Sequence, residues 1–266
     1  MKKQILVTGG TGYIGSHTVV ELIENGYDVV IIDNLYNSEA EVIDRISKIT
    51  GTTPPLEVFD LCDESLLDSF FRKHKNIDGI IHFAAYKAVG ESVHKPLEYY
   101  RNNLLSLMNL LGHMKKNGIP AFVFSSSCTV YGQPEKLPVS EDSPIQPAVS
   151  PYGNTKQIGE EIIRDTVTSA PGIRAIALRY FNPIGAHPSG LIGELPRGVP
   201  ENLVPYITQT AYGLRDELKV FGDDYDTPDG SCIRDYLHVV DLAKAHVTAI
   251  DRLISEKNKS AYEIFN

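Results

Sequence analysis

Tyr152 and Lys156 lie four residues apart in Ser150-Pro151-Tyr152-Gly153-Asn154-Thr155-Lys156, and a phenol beside an ammonium can take a proton from an alcohol. Ser150 is a good N-cap and Pro151 a good first helical residue, so a helix is expected to start here. The i and i+4 positions then project from one face of it. A free tyrosine titrates near 10, so acting as a base near pH 7 needs a depression of roughly 3 units, or roughly 4 kcal/mol. Lysine alone would struggle to supply that. A second positive charge, such as an oxidised nicotinamide ring, would complete it, and this directs attention to a dinucleotide site. Ser125-Ser126-Ser127 adds hydroxyls about 25 positions before the tyrosine, and one of them could hydrogen-bond the reacting alcohol. Spacing does not distinguish the three, and all could instead satisfy backbone groups at a strand end.

The N-terminal residues have the order that a pyrophosphate site requires. Gln4-Ile5-Leu6-Val7-Thr8 reads as a buried strand and feeds Gly9-Gly10-Thr11-Gly12-Tyr13-Ile14-Gly15, with a periodic helix from Ile14 to about Asn25. Glycines at 9, 12 and 15 allow a tight turn close to the phosphates, and the helix start offers unpaired N–H groups. A glycine motif alone is weak. A second apolar run, Val29-Val30-Ile31-Ile32, strengthens it by ending in Asp33, 18 positions after Gly15, where a carboxylate can meet the adenosine ribose hydroxyls. That acid would repel a 2′-phosphate, and Asn34-Leu35-Tyr36-Asn37-Ser38 brings no Arg or Lys to neutralise one, so NAD is expected over NADP. Asp60 closes a third apolar segment, Leu56-Glu57-Val58-Phe59, and either reaches the adenine amine or serves a turn.

The elements that must position these groups alternate along the chain. Strands are expected at Gly79–Phe83, Ala121–Ser125 and Arg174–Leu178, with a helix over about Glu98 to Asn117 and the Tyr152 helix between them. This rhythm predicts an α/β fold with a doubly wound parallel sheet, whose ligands lie at the carboxyl ends of the strands. Gly9–Gly15, Asp33, Phe83–Lys87, Ser125–Thr129 and Tyr180–Asn182 then form one candidate rim. After Pro183 the texture turns to Gly, Pro and polar loops, with periodic segments at Leu203–Tyr212 and about Val239 to Ile254. The expected organisation is residues 1–182 as a Rossmann-type NAD-binding domain and 183–266 as a smaller mixed α/β substrate region interleaved with it.

Composition fits an enzyme of this kind. The 266 residues are 42% hydrophobic and 22% charged, enough for a full core. A net charge of −9 argues against nucleic acid or an anionic membrane as partner. Cys62, Cys128 and Cys232 are isolated, with no CxxC spacing, which predicts a reducing compartment and neither a disulfide framework nor a zinc site. Lone histidines such as His82 and His238 are expected to satisfy buried polar neighbours, and no metal site is expected. Met1-Lys2-Lys3-Gln4 runs straight into the first strand, and no apolar stretch reaches 18 residues, so a cytoplasmic location is expected.

Gly9 to Gly15, Ser127 and Tyr152-x-x-x-Lys156 resemble the extended short-chain dehydrogenase/reductase superfamily. Four longer segments, His82 to Ser92, Ser125 to Gly132, Arg179 to Gly190 and Arg234 to Val239, narrow the resemblance to the UDP-glucose 4-epimerase family, and it runs essentially from end to end. What it implies is reversible, NAD-dependent epimerisation of UDP-galactose and UDP-glucose at C4 through a 4-keto sugar. Tyr152 would be the base, Lys156 would depress its pKa, and Ser127 would steady the oxygen. NAD would be held by Gly9, Gly12, Tyr13, Ile14, Gly15, Asp33, Asn34, Asn37, Ser38, Asp60, Leu61, Phe83, Ala84, Ala85, Lys87, Asn102, Ser125, Tyr152, Lys156 and Tyr180. The UDP-sugar would be held by Lys87, Ser127, Tyr152, Phe181, Asn182, Asn202, Leu203, Lys219, Phe221 and Arg234. Arg234 suits a diphosphate and Phe221 can stack on uracil, although a structural ion pair and a core position serve them equally well without the resemblance. A homodimer through the helices near Glu98–Asn117 and Tyr152–Ser169 is implied as well.

Two departures are visible. Cys128 stands where the family commonly has Ala, a small replacement. The final residues, Ser260 to Asn266, read as a strand entering another glycine turn, and the family's further tens of residues supply a second phosphate-binding arginine and part of the sugar pocket. The expectation is a C-terminally incomplete chain that binds NAD and handles a UDP-sugar poorly. Other functions stay open: an epimerase of UDP-N-acetylhexosamine or UDP-glucuronate, a non-catalytic NAD-binding regulator, or a nucleotide-sugar dehydratase. The last usually wants an Asp-Glu pair where Cys128-Thr129 stands.

Overall fold

A strand whose side chains are apolar on both faces must lie in a sheet covered on both sides, and the helix between two such strands returns the chain parallel to the first. A computed structural model describes residues 2–266. It places β1 (Gln4–Thr8), β2 (Asp28–Asp33), β3 (Leu56–Val58), β4 (Ile77–His82), β5 (Ala121–Ser125), β6 (Arg174–Leu178) and β9 (Tyr262–Phe265) in one sheet of order β3-β2-β1-β4-β5-β6-β9, every pair parallel. The remaining strands, β7 (Asn182–Ile184) and β8 (Tyr236–His238), form a separate parallel pair.

The period of two along each strand divides the core into two layers. Ile5 and Val7 of β1 face the layer of α1 (Tyr13–Glu24), α2 (Val42–Thr50) and α8 (Val239–Ile254), packing with Val19, Ile46 and Ile250. Leu6 faces the opposite layer of α3 (Glu64–Lys73), α5 (Pro96–Asn117) and α6 (Pro151–Ser169), packing with Leu67, Leu110 and Ile163. The short α4 (Val89–His94) precedes α5, and α7 (Leu203–Ala211) follows β7. Strand order reverses at β1, with β2 on one side and β4 on the other. This reversal opens a crevice at the carboxyl end of β1, where Gly9 begins the glycine turn.

Most predicted elements appear, several at the predicted bounds: β1, β5, β6 and α8. β4 starts two residues earlier than its apolar run suggests, because Ile77 pairs with Gln4. α2, α3 and α4 have no predicted counterpart. Asp63 caps α3 by accepting from the N–H groups of Ser65 and Leu66, a legible start, whereas α2 begins without a side-chain cap. The C-terminal stretch is interleaved with the first part of the chain: α8 packs on α1, and β9 extends the main sheet beside β6. Among the described residues no helix is long and apolar enough to cross a membrane.

Candidate functional site

The glycine turn is shaped by two positions that exclude a side chain. Gly9 has φ +72°, in the left-handed region, and a Cβ there would lie 2.8 Å from the Ala84 backbone nitrogen. A Cβ on Gly15 would lie 2.1 Å from the Gly9 carbonyl oxygen, so only glycine lets the first turn of α1 close on the loop. Gly12 is the N-cap of α1 and offers no side-chain cap, which leaves the helix start to face the crevice with its N–H groups. That crevice is a cavity of about 380 Å³ running from the adenosine end at Asp33 to Tyr152 and Lys156. A cradle closed to any Cβ, a side-chain-free helix start and an acid on the next strand fit a dinucleotide.

Asp33 ends β2, with each carboxylate oxygen engaged. Oδ2 accepts from the Thr11 N–H at 3.1 Å, and Oδ1 accepts from the Leu35 N–H at 2.9 Å and the Ser38 hydroxyl at 3.2 Å. It therefore orders the loop as well as lining the cavity. Asp60 likewise does both: its Oδ1 accepts from the Cys62 N–H at 2.8 Å, and it lines the wall. No cation stands among residues 34–38, but Arg45 lines the same cavity and Arg197 reaches this end from 159 residues beyond Ser38. Its guanidinium donates to the carbonyls of Ser38 at 2.5 Å and Tyr36 at 3.3 Å. Those bonds join the segment around Arg197 to the main chain of the Asp33 loop.

At the other end, Ser150 caps α6 by accepting from the Gly153 N–H at 3.1 Å, with Pro151 in the first turn. Tyr152 and Lys156 share a face, the ammonium lying 5.8 Å from the Tyr152 ring centroid and 4.8 Å from that of Phe124. Buried Lys156 donates to the Ser125 carbonyl at 2.6 Å. The three serines separate in role. The Ser125 hydroxyl bonds that of Tyr180, and the Ser126 hydroxyl turns into the core and donates to Glu160 at 2.5 Å. Ser127 faces the cavity, accepts from the Thr129 N–H at 3.2 Å, and is the serine that acts on the tyrosine. Burial dominates the electrostatics. It pushes the Tyr152 phenol up to about 12, with the Ser127 hydroxyl pulling it down and the Cys128 thiol adding to the rise. Burial also pushes Lys156 down to about 8, with the Glu160 carboxylate opposing. Within the protein alone the phenol is thus held above its ordinary value, because removing the phenolate from water costs more than its neighbours return.

All the predicted cofactor residues line this one cavity: Gly9, Gly12, Tyr13, Ile14, Gly15, Asp33, Asn34, Asn37, Ser38, Asp60, Leu61, Phe83, Ala84, Ala85, Lys87, Asn102, Ser125, Tyr152, Lys156 and Tyr180. Ser127, Phe181, Asn182 and Asn202 join them from the substrate set. Leu203, Lys219, Phe221 and Arg234 do not line it. Phe221 is 96% exposed, Lys219 pairs with Glu217 at 3.2 Å, and Arg234 donates to the neighbouring Ile233 carbonyl at 2.8 Å. Sequence reasoning missed Thr11, Glu194 and Arg197. Glu194 pairs with Lys87 at 3.3 Å and accepts from the Asn202 amide at 2.5 Å, so the segment it shares with Arg197 spans the cleft. Thr11 lies inside the glycine turn and was readable there; the other two carried no local signal. His82 pairs with the Thr8 hydroxyl at 2.7 Å, and His238 accepts from the Val240 N–H at 3.3 Å as the cap of α8.

Arg197→Ala is expected to speed NAD release by about fivefold to tenfold, the equivalent of about one charged hydrogen bond to an exposed carbonyl. Stopped-flow displacement of bound NAD measures this, and an unchanged release rate would remove Arg197 from the clasp.

The sequence model of the NAD dependent epimerase/dehydratase family matches residues 5–264. The chain is 54% identical over 254 residues to the UDP-glucose 4-epimerase of Dictyostelium discoideum, covering 96% of this chain and 73% of that protein. It is 51% identical over 260 residues to the UDP-glucose 4-epimerase of Bacillus subtilis, covering 98% and 76%. Among solved structures, the UDP-glucose 4-epimerase of Bifidobacterium longum in complex with NAD⁺ and UDP superposes with a TM-score of 0.94 at 48% identity, covering 99% of this chain and 77% of that one. The glycine cradle, the capped Tyr-Lys helix and this likeness along nearly the whole chain lead to one assignment: the chain belongs to the NAD dependent epimerase/dehydratase family, among its UDP-glucose 4-epimerases.

Proposed function

We propose that Tyr152, Lys156 and Ser127 carry out, in this chain, the reversible NAD-dependent epimerisation of UDP-galactose and UDP-glucose at C4. The observation that carries this is the convergence, at one end of a single cavity, of a half-buried phenol, a buried ammonium and a strand-end hydroxyl, with a glycine cradle at the other. Bound NAD supplies the hydride acceptor and donor. Tyr152 takes the proton from the sugar 4-hydroxyl as the 4-keto sugar forms and returns it once the sugar has turned over. Ser127 holds the C4 oxygen in both poses. Lys156, anchored on the Ser125 carbonyl, keeps a positive charge beside the phenol. Because the keto sugar must rotate, the grip belongs on the nucleotide, and Phe181, Asn182 and Asn202 line the wall nearest to that task.

The same reading makes residues 1–182 the cofactor half and assigns sugar-side contacts to 183–266, including Leu203, Lys219, Phe221 and Arg234. It also includes a homodimer through α5 and α6, supported by the exposed Leu97 and Met108 on α5 and a shallow groove lined by Met108, Leu111 and Ile162. A cytoplasmic location is supported by the three free cysteines. The NAD-loaded protein, given UDP-galactose, is expected to yield UDP-glucose, and light scattering of the same sample to give twice the 29.4 kDa chain mass. No interconversion by protein with verified bound NAD would sink the catalytic reading, and a monomeric mass would sink the dimer.

A further inference from the structure

Behind the strand end that carries Ser125 and Ser127, one buried carboxylate is used by none of the steps above. Glu160 lies on α6 one turn after Lys156 and is 7% exposed. It accepts from the Ser126 hydroxyl at 2.5 Å and from Arg179 through Nε at 2.9 and 3.2 Å and Nη2 at 2.6 Å. Arg179, 4% exposed, directly precedes Tyr180. Its Nη1 donates to the Tyr131 hydroxyl at 3.1 Å, and its backbone N–H donates to the Phe265 carbonyl at 2.8 Å. A buried ion pair of this kind is weak support for stability, because desolvation offsets most of its attraction. Its placement offers another role. The pair ties together the three elements that carry the reacting groups: α6 with Tyr152 and Lys156, the end of β5 with Ser125 and Ser127, and the end of β6 with Tyr180.

Alternation at the β5 end turns Ser126 away from its neighbours, so the bond from Ser126 to Glu160 sets where Ser125 and Ser127 face. Several groups surround the Lys156 ammonium. They are Tyr152 on its own helix, His82 on β4, and the Ser125 carbonyl and the Phe124 ring on β5. Glu160 is the carboxylate whose charge acts on this lysine. Glu160 itself faces Arg179, Ser126 and, from β9, Tyr262. We propose that Glu160, clamped by Arg179 and Ser126, is a positioning residue: it sets Ser127 and Tyr180 against α6 and holds a carboxylate one helical turn from Lys156. The catalytic part of this rests on the epimerase reading. Burial already pushes Lys156 down to about 8, so a small loss of negative charge beside it empties the ammonium near neutral pH.

The test follows the Lys156 side chain by NMR in the NAD-loaded protein, its signal assigned by its loss in Lys156→Met, together with kcat for UDP-galactose against pH. Glu160→Gln removes the negative charge and leaves Arg179 unopposed, so the Lys156 midpoint is expected to fall by about one pH unit. The alkaline limb of kcat should move down with it, and kcat at pH 8 should drop about fivefold, while KM changes less than about threefold. Ser126→Ala removes a hydrogen bond and no charge, so kcat should fall with the midpoint in place. Arg179→Lys keeps the charge without the fork and should behave as Ser126→Ala does; these two decide the matter if Glu160→Gln does not fold. An unmoved Lys156 midpoint in folded Glu160→Gln, or wild-type kcat in both Ser126→Ala and Arg179→Lys, would overturn the inference. Wild-type protein that leaves UDP-galactose unchanged would overturn the epimerase reading instead, and the Lys156 midpoint would still decide the role of Glu160.

Discussion

Tyr152→Phe is expected to lower kcat for UDP-galactose by about 10²- to 10⁴-fold while leaving NAD bound and KM nearly unchanged. The substitution deletes one oxygen from a half-buried ring that faces both Lys156 and Ser127, and no other group offers a proton acceptor in that position. The remaining hydroxyls cannot replace it: Ser125 is bonded to Tyr180, and Ser126 points to Glu160. Binding should survive because the cofactor is held along the whole cavity, from the Gly9 turn and Asp33 to Lys156. The measurement is initial-rate conversion to UDP-glucose, with bound NAD quantified after acid release. Turnover within about threefold of wild type would remove Tyr152 as the base.

Mild acid is expected to destabilise the fold through three buried histidines. Burial holds His17 and His246 down to about 4 and His82 down to about 3, the latter also beside the Lys156 charge. They are 1%, 0% and 2% exposed, and His17 and His246 each have a buried Nε2 with no partner, so a proton there would place an uncompensated charge in the core. The sign follows from linkage. The unfolded chain takes up these protons below about pH 6.5 and the folded chain does not, so stability is full above that value and falls as the pH drops toward the folded pKa. Each group costs at most about 1.4 kcal/mol per pH unit, so the three together cost about 6 kcal/mol between pH 7 and pH 5. That is comparable with the whole stability of an ordinary domain. Urea unfolding at the two pH values measures it, and equal midpoints would mean that these rings already protonate in the native state.

The short-range features were all legible. A strand, a glycine turn, a helix and an acid ending the next strand occur within 33 residues, and the capping serine, proline, tyrosine and lysine occur within seven. Such patterns are written in local terms, since helix caps, turn glycines and the periods of strand and helix involve neighbours along the chain. The doubly wound parallel sheet followed from the same rhythm because parallel strands joined by helices have few ways to connect.

Tertiary structure decided what depends on distance through space and on burial. It turned Ser126 to a carboxylate 34 residues away and paired the Ser125 hydroxyl with that of Tyr180, which is the basis for proposing Ser127 as the hydroxyl that meets the substrate. It brought Arg197 and Glu194 across the cleft, left Phe221 and Arg234 outside the cavity, and placed Glu160 and Arg179 behind the reacting groups. Burial within the protein alone pushes the Tyr152 phenol up more than the Ser127 hydroxyl pulls it down. By itself, then, the sequence determined the alternation of strands and helices, the glycine turn and the Tyr-Lys pair, because each is encoded by residues a turn or a strand apart. The separate partners of the three serines, the bonds that Arg197 and Glu194 make across the cleft, and the burial that shifts Tyr152 and Lys156 were decided only when packing removed water and brought distant side chains within hydrogen-bond reach.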